Sequence, residues 1–440
     1  MNHIRTEKWA SWWQVALFGA GCTIGIGFFL GSSIAIQKSG VFIFIIYLLA
    51  AISTWFVHDA LAQLTIHFPQ KGSFRSFARN AFGRWAGFAV GWIYWFSEIL
   101  ILGSTLIAIG LFTQVWFPDI PLWLLSAGYS FLGLAILILG TRGINQTENL
   151  FAVIKIAAII MFIIVAIISL FKDSSTSKSF STLIENELAN GWKGAWQGLL
   201  YAFYAYGGIE VMGFMETNLK DVKEATKVGR SMIGGITLLY ISSLALILLI
   251  VPIHQLTQDR SPFISVLELI HASWFAYILN GVFVVAGFSI LVASLYAAST
   301  TLVSLAEDRD GPSWIKRKVG KREHPIYAYI LNALGLCSAV LLALLIPKEI
   351  FLYLITAGGL VLLYIWLIIL FSYLRLFKEK EKRRVETLKT WSAIFLIVLA
   401  FSGSMLEPSG RIGFWISLGI VLSMVLITFL VKRAVGDHAG

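Results

Sequence analysis

Charge is scarce in this chain. Asp, Glu, Lys and Arg supply 13% of its 440 residues, hydrophobic residues supply 58%, and the mean hydropathy is +0.80. A soluble protein of this size needs polar cover for its surface, and too little is present to provide it. Cysteine is scarcer still, with only Cys22 and Cys337, both inside apolar segments. Two thiols make neither a disulfide framework nor a zinc site, so both are expected as small buried hydrophobes. No histidine stands at metal-ligand spacing from a cysteine. The patterns H-E-x-x-H, G-x-S-x-G and G-x-x-x-x-G-K-[ST] are all missing. Their absence argues against a zinc peptidase, a nucleophile-elbow hydrolase and direct ATP-driven pumping. No enzyme activity, metal or cofactor is therefore expected. The start "MNHIRTEKWASWW" runs into an apolar segment without an A-x-A site, so no removable signal peptide is expected.

Long apolar runs are what the chain has instead, such as "VFIFIIYLLAAISTWFV" and "IAAIIMFIIVAIISLF". A membrane β-barrel would show short alternating segments, whereas a helical crossing takes about 20 continuous apolar residues. The fold class is read as an all-α polytopic membrane protein. Twelve transmembrane helices are expected, near 12–36, 41–66, 87–115, 122–140, 149–171, 192–216, 230–252, 277–306, 326–346, 350–377, 390–406 and 412–432. Twelve crossings put both termini on one side. Counted over the connecting segments, 26 Lys and Arg fall on the side of the termini and 7 on the other, with Lys155 inside a span. That bias makes residues 1–11 and 433–440 cytoplasmic and the protein a multi-pass component of the cell membrane. The net charge of +10 then belongs to the cytoplasmic face, near anionic membrane lipid, and does not call for nucleic acid. Two inner connections, "HFPQKGSFRSFARNAFGRWAG" and "EDRDGPSWIKRKVGKREHP", are long enough for amphipathic helices. The outer stretch "SPFISVLELIHASWF" suits a short helix over the external mouth or a plain interfacial helix.

Two spans contradict their own helical pattern. The first contains "GAGCTIGIGFFLGSS" and the sixth "YAFYAYGGIEVMGFME", where Gly207 and Gly208 precede Glu210. Glycine weakens a helix, and a carboxylate in hydrocarbon costs about 2.5–3.5 kcal/mol or more. Five spans separate the two starts, so equivalent helices run in opposite directions, as in an inverted repeat of spans 1–5 (12–171) and 6–10 (192–377), with 390–432 added. Paired glycine-interrupted segments of this kind point to a transporter binding site. The G-x-x-x-G spacing in the first span also suits plain close helix packing. Unwinding at the midplane frees N–H and C=O groups, tolerated in a membrane only where they line a cavity or are buried in protein. Freed N–H groups suit a carboxylate and freed carbonyls an ammonium. Two crossed breaks can thus hold both ends of an α-amino acid.

Five motifs in order carry a family resemblance: "GAGCTIGIGFFLGSSIAI", "FPQKGSFRSFARNAFGRWAGFAVGWIYWF", "GTRGINQTENLFAVIKI", "YAFYAYGGIEVMGFMETNLKD" and "LYLITAGGLVLLYIW". Over residues 10–377 the chain resembles the amino acid–polyamine–organocation superfamily and, within it, the bacterial amino acid permeases. The resemblance implies a leucine-transporter-type fold of 5+5 inverted repeats with helices 1 and 6 unwound. It also implies uptake of an amino acid, usually coupled to proton entry. By position, Thr23, Ile24, Gly25, Ile26 and Gly27 form the first unwound segment, facing the substrate carboxylate. Tyr206, Gly207, Gly208 and Ile209 form the second, with carbonyls toward the ammonium. Tyr204 matches an aromatic gate, and Glu210 the acid just after the break. Asp59 and Gln63 stand where the family commonly has an arginine and a glutamate, and Thr105 where it often has a glutamate.

The expected site wall of Ile26, Leu102, Thr105 and Gly207, with Tyr296 and Thr356 as further candidates, is largely apolar. It favours a neutral, hydrophobic side chain. Glu98 leaves a cationic substrate open, and exchange fits the sequence as well as symport does. A sensor that binds without transport has no extra soluble domain to support it. The resemblance puts Lys155 where sodium-coupled relatives bind sodium, so its ammonium is a candidate proton carrier. A fixed structural ammonium and a snorkelling lysine are the other readings. Glu210 is either a protonatable coupling residue or a carboxylate that ties the break together. His58 and Asp59 are adjacent, so they do not share a helix face. They read as a relay or as packing near the inner end.

Overall fold

The computed structural model describes residues 10–70, 72–139, 144–172, 191–319, 324–346, 349–378 and 384–436. Among the described residues the architecture is all-helical, without a strand. Ten helical stretches are long and apolar enough to cross a membrane. They overlap spans two to five and seven to twelve of the sequence reading, and the first of them, Gly31–His67, also takes in the end of span one. The other two are the glycine-rich ones, and each is cut into pieces too short to cross alone.

The first span comprises α1 (Trp12–Thr23), α2 (Ile26–Phe29) and α3 (Gly31–Ser39). Ile24 and Gly25 between the first two are extended, with ψ of 102° and −153°. There follow α4 (Ile43–His67), α5 (Ser73–Phe82), α6 (Arg84–Gln114), α7 (Leu122–Leu139) and α8 (Ile144–Lys172). The sixth span begins as α9 (Gly191–Tyr204) but does not run to 216 as the hydropathy suggests. It stops at the glycine pair and resumes as a turn over Ile209–Val211, the short α10 (Met212–Met215) and another turn over Glu216–Asn218. Hydropathy registers solvent preference, which a broken helix and an intact one share. Then come α11 (Ala225–Ile250), α12 (Pro262–Leu269), α13 (Ser273–Glu307), α14 (Ile326–Leu345), α15 (Ile350–Leu376), α16 (Arg384–Ser404) and α17 (Pro408–Gly436).

Burial sorts these helices. In the most apolar stretch, 72% of α6 and 78% of α15 is inside the protein, against 22% of α7 and of α17. The first two form the centre and the last two face outward. Cys337 on α14 corrects the sequence reading: it is exposed, on a helix whose Leu334 and Leu341 also face outward. Lipid accepts a thiol or a leucine as readily as the core does, so composition alone did not separate the two.

The connection between α4 and α6 forms the expected amphipathic helix. In α5, Phe74, Phe77 and Ala78 are buried while Asn80 is exposed. Its Arg75 is also buried, and its guanidinium reaches Asp308 Oδ2 at 2.9 Å and Asp310 Oδ2 at 2.8 Å. The same group donates to Ser304 Oγ and to the Gly87 carbonyl. Arg84 Nε meets the other Asp310 oxygen at 2.9 Å, and Trp92 Nε1 donates to the Asp310 carbonyl. The second such connection, between α13 and α14, departs from expectation over its described part, while residues 320–323 lie outside the described residues. Asp310 is pinned at its start, Pro312 removes a backbone donor, and residues 308–319 run as turns.

On the opposite side, α12 is no plain interfacial helix. Pro262, Phe263, Ile264, Val266 and Leu267 are buried. Phe263 meets Phe28 and Phe29 edge-on at 5.3 and 5.8 Å, and Phe162 at 4.7 Å. Phe28 stacks on Tyr240 at 3.6 Å and Phe29 on Phe283 at 4.2 Å. Gln37 Nε2 donates to the Leu256 carbonyl at 2.6 Å, and Ser33 Oγ to that of Thr257. This aromatic cluster closes over α2.

Arg75→Ala leaves Asp310 buried without one of its cations, a loss of about 3–5 kcal/mol. Arg79→Ala breaks only an exposed 3.8 Å pair with Asp308, for which about 0–1 kcal/mol is expected. Thermal unfolding of both variants in detergent measures the contrast; equal melting shifts would contradict this account of α5.

Candidate functional site

The two breaks lie against each other. Gly208 has φ +103°, a left-handed conformation that glycine tolerates best. A Cβ on Gly208 would stand 2.9 Å from the Cys22 carbonyl oxygen and 3.4 Å from the Thr23 nitrogen. A Cβ on Gly27 would stand 2.8 Å from the Tyr204 carbonyl oxygen. Each span thus passes the other's break with only hydrogens at the points of contact.

Part of the freed backbone is satisfied locally. Ile24 N–H donates to Ala20 O at 2.8 Å, and Gly25 O accepts from the N–H of Phe28 and Phe29. In the sixth span Gly207 N–H donates to Tyr204 O at 3.0 Å and Val211 N–H to Gly208 O at 3.2 Å. The Ala205 carbonyl takes the Tyr240 hydroxyl at 3.1 Å. Among the described residues the N–H groups of Gly25, Ile26 and Gly27 find no acceptor. The carbonyls of Tyr206 and Gly207 find no donor. Thr23 Oγ1 is buried and equally unpartnered. Cys22, Gly27, Tyr204, Gly207 and Gly208 keep partial exposure, while Ile24, Gly25 and Ile26 beside them are buried. Donors from one segment, acceptors from the other and a group of partly exposed residues therefore coincide.

Around this crossing, Leu102 and Thr105 of α6 are buried, as are Ile26 and Ile209. Ile290 of α13 closes on Gly25 and Leu362 of α15 on Gly207. Tyr204 is fixed by a 2.9 Å bond between its hydroxyl and Ser104 Oγ. Tyr206 turns away, its hydroxyl donating to Thr237 and its ring packing near Tyr47 and Tyr240. The two further wall candidates differ in their surroundings. Tyr296 is 44% exposed, because its place on α13 faces outward. Thr356 is held by Leu352 O and by the Tyr201 hydroxyl at 3.0 Å.

The charged residues divide by what they touch. Glu210 is buried, and its Oε2 accepts from Gly208 N–H at 3.1 Å and from Trp366 Nε1 at 3.3 Å. It ties the break to α15. Lys155 is fully buried, and its Nζ donates to Gly21 O at 2.7 Å, so it does not snorkel. Its amine caps the carbonyl end of α1 immediately before the break. Glu98 lies against Tyr94 and Ser294, and its Oε2 is buried without a partner. His58 is buried against Gly229 with Nε2 2.9 Å from Glu216 Oε1, while Asp59 is half-buried. Three residues escaped the sequence reading: Ser104, Trp366 and Glu148. The last is a buried acid seven residues before Lys155, a spacing of one helix face that was legible beforehand. Among the described residues no cluster of three or more His, Cys, Asp or Glu is placed to hold a metal ion.

Comparison with known proteins adds an independent line. A family model described as amino acid permease matches residues 14–437. The "Uncharacterized transporter YcgH" of Bacillus subtilis is 45% identical over 431 residues, covering 97% of this chain and 95% of that one. The gamma-aminobutyric acid permease of the same organism is 30% identical, covering 95% and 92%. The aromatic amino acid transport protein AroP of Salmonella typhimurium is 29% identical, covering 85% and 82%. The match spans nearly all the helices described above, with both broken segments inside it. The chain therefore belongs to the amino acid permease family, within the amino acid–polyamine–organocation superfamily, and is a multi-pass membrane transport protein, not an enzyme.

Proposed function

We propose that this protein imports an amino acid across the cell membrane by proton-coupled symport, through a leucine-transporter-type fold. In this reading the fold has twelve crossings, with inverted repeats over 12–171 and 192–377, a further pair over 390–432, and both termini in the cytoplasm. One observation carries the proposal: among the described residues, N–H groups at residues 25–27 and carbonyls at Tyr206 and Gly207 lack partners in two segments pressed on each other, where Gly27, Gly207 and Gly208 stay partly exposed. The α-carboxylate sits on the first set and the α-ammonium on the second. Thr23 supplies a hydroxyl, and Tyr204, held by Ser104, covers the site. Ile26, Leu102, Thr105 and Gly207 form an apolar seat that suits a neutral, hydrophobic side chain. Relatives named for gamma-aminobutyric acid and for aromatic amino acids support an amino acid as the cargo.

Coupling falls to Lys155 and Glu210. As an ammonium, Lys155 holds the Gly21 carbonyl and keeps α1 against α8. As an amine it donates more weakly, and α1 is freer to move. Glu210 holds Gly208 in its left-handed turn. A second reading, a cationic substrate, rests on Glu98 and its unpartnered buried oxygen. Exchange without net proton entry is separated from symport by experiment.

Purified protein in sodium-free proteoliposomes is expected to accumulate substrate when an inward proton gradient is imposed. Neutral hydrophobic amino acids should compete best in a screen of twenty. Sodium stimulation, or competition by cationic amino acids alone, would overturn symport or the side-chain assignment respectively.

Two variants address the site. Lys155→Met loses a charge-assisted bond of about 1.5–3 kcal/mol, so gradient-driven accumulation should fall by about tenfold or more. Gly208→Ala brings a Cβ toward the Cys22 carbonyl at positive φ, a strain of about 1–3 kcal/mol, and should abolish uptake in protein that still inserts. Either variant transporting like the parent would contradict its assigned role.

A further inference from the structure

Glu148 has no part in the grip on the substrate, yet its surroundings are built. It lies on the second turn of α8 and is 4% exposed. Ser289 of α13 donates to its Oε1 at 2.6 Å. Its Oε2 is buried and unpartnered. A buried carboxylate oxygen without a donor is costly unless it serves a purpose or carries a proton.

The position suggests which purpose. Glu148 and Lys155 are two turns apart on one face of α8, about 10 Å along the axis. Between them the same face receives α1: a Cβ on Gly21 would touch Ala152 Cβ at 3.0 Å and the Glu148 carbonyl at 3.2 Å. The carbonyl that Lys155 holds is that of Gly21. The acid and the amine therefore flank the stub of α1 just before it unwinds. The other groups facing Glu148 are few. Its own helix presents Lys155, α1 presents Cys22 and α13 presents Ser289. From α11 and α12, which also pack on α8, no Lys, Arg or His nitrogen comes within 4 Å of it among the described residues.

We infer that Glu148 is the cytoplasmic-side proton acceptor for Lys155. This rests on the proton-symport reading above. No ion pair within 4 Å joins Lys155 to Glu148 among the described residues, so the transfer runs through water: after substrate entry an N–H bond of the Lys155 ammonium breaks, the proton is handed on along the water, and an O–H bond forms at Glu148 Oε2. The products are a neutral amine and a carboxylic acid. The acid then gives its proton to water at the N-terminal end of α8, which the proposed topology puts in the cytoplasm. Ser289 orients the carboxyl by holding the oxygen that does not take the proton.

The test compares wild type, Glu148→Gln, Glu148→Asp and Ser289→Ala in sodium-free proteoliposomes. It uses the amino acid that competes best in the screen above. Each is assayed for accumulation driven by an inward proton gradient and for counterflow exchange at equal pH, with detergent melting curves as the check on folding. Glu148→Gln keeps an oxygen for Ser289 but takes no proton. It is expected to lose gradient-driven accumulation while retaining counterflow and its melting temperature. Glu148→Asp should recover accumulation in part. Glu148→Gln accumulating like wild type would overturn the inference alone. So would loss of accumulation and counterflow together with a lowered melting temperature that Ser289→Ala reproduces, since that marks a structural tie. If wild type fails to respond to the proton gradient, the symport reading falls and takes this inference with it.

Discussion

A peptide group stripped of its partner inside a membrane has nowhere to go but another part of the protein, and that constraint organises this molecule. Two spans give up helical bonding at residues 24–25 and 205–208. The interruptions are possible because each is pressed on the other span, Gly208 on the Cys22 carbonyl and Gly27 on the Tyr204 carbonyl. Neither would be stable facing lipid. Most freed groups find local partners, and those that do not lie where the two segments meet.

The rest of the centre holds these two interruptions in place. Lys155 caps the end of α1 from α8, and Glu210 links Gly208 to Trp366 of α15. Tyr240 takes the Ala205 carbonyl and stacks on Phe28, so a single side chain braces both segments. Outside this centre the protein is fastened differently at its two ends. One end has an aromatic cluster around Phe263, and the other an ion-pair network around Arg75 and Asp310. Aromatic contacts are weakly directional, whereas the ionic end is directional and loses much when one partner goes.

The charges inside the membrane share one logic. Glu210, Lys155 and Glu148 are each held by at least one hydrogen bond, and each lies at or beside the interrupted part of the first or the sixth span. Intramembrane ionisable groups are expensive and so mark function by default. Here they mark the places where the backbone gave up its own bonds.

Much was legible in the residue order alone. Apolar run lengths specified a helical membrane protein, because hydrocarbon thickness and helix rise leave little choice. The glycines at 25, 207 and 208, with Glu210 beside them, pointed to both interruptions, but the first is narrower than the expected 23–27: Thr23 ends α1, and Ile26 and Gly27 are already in α2. Sequence did not resolve which face of a long apolar helix looks inward, since lipid and protein core reward the same side chains. Cys337 and Tyr296 therefore turned outward against expectation, and Glu148 went unnoticed although its spacing to Lys155 was plain. Nor did it show that Arg75 would bury itself between Asp308 and Asp310, more than 230 residues away. Composition determined the solvent and the breaks; only the tertiary structure decided which carbonyls, amides and charges meet, because those partners are distant in the chain and brought together by helix packing.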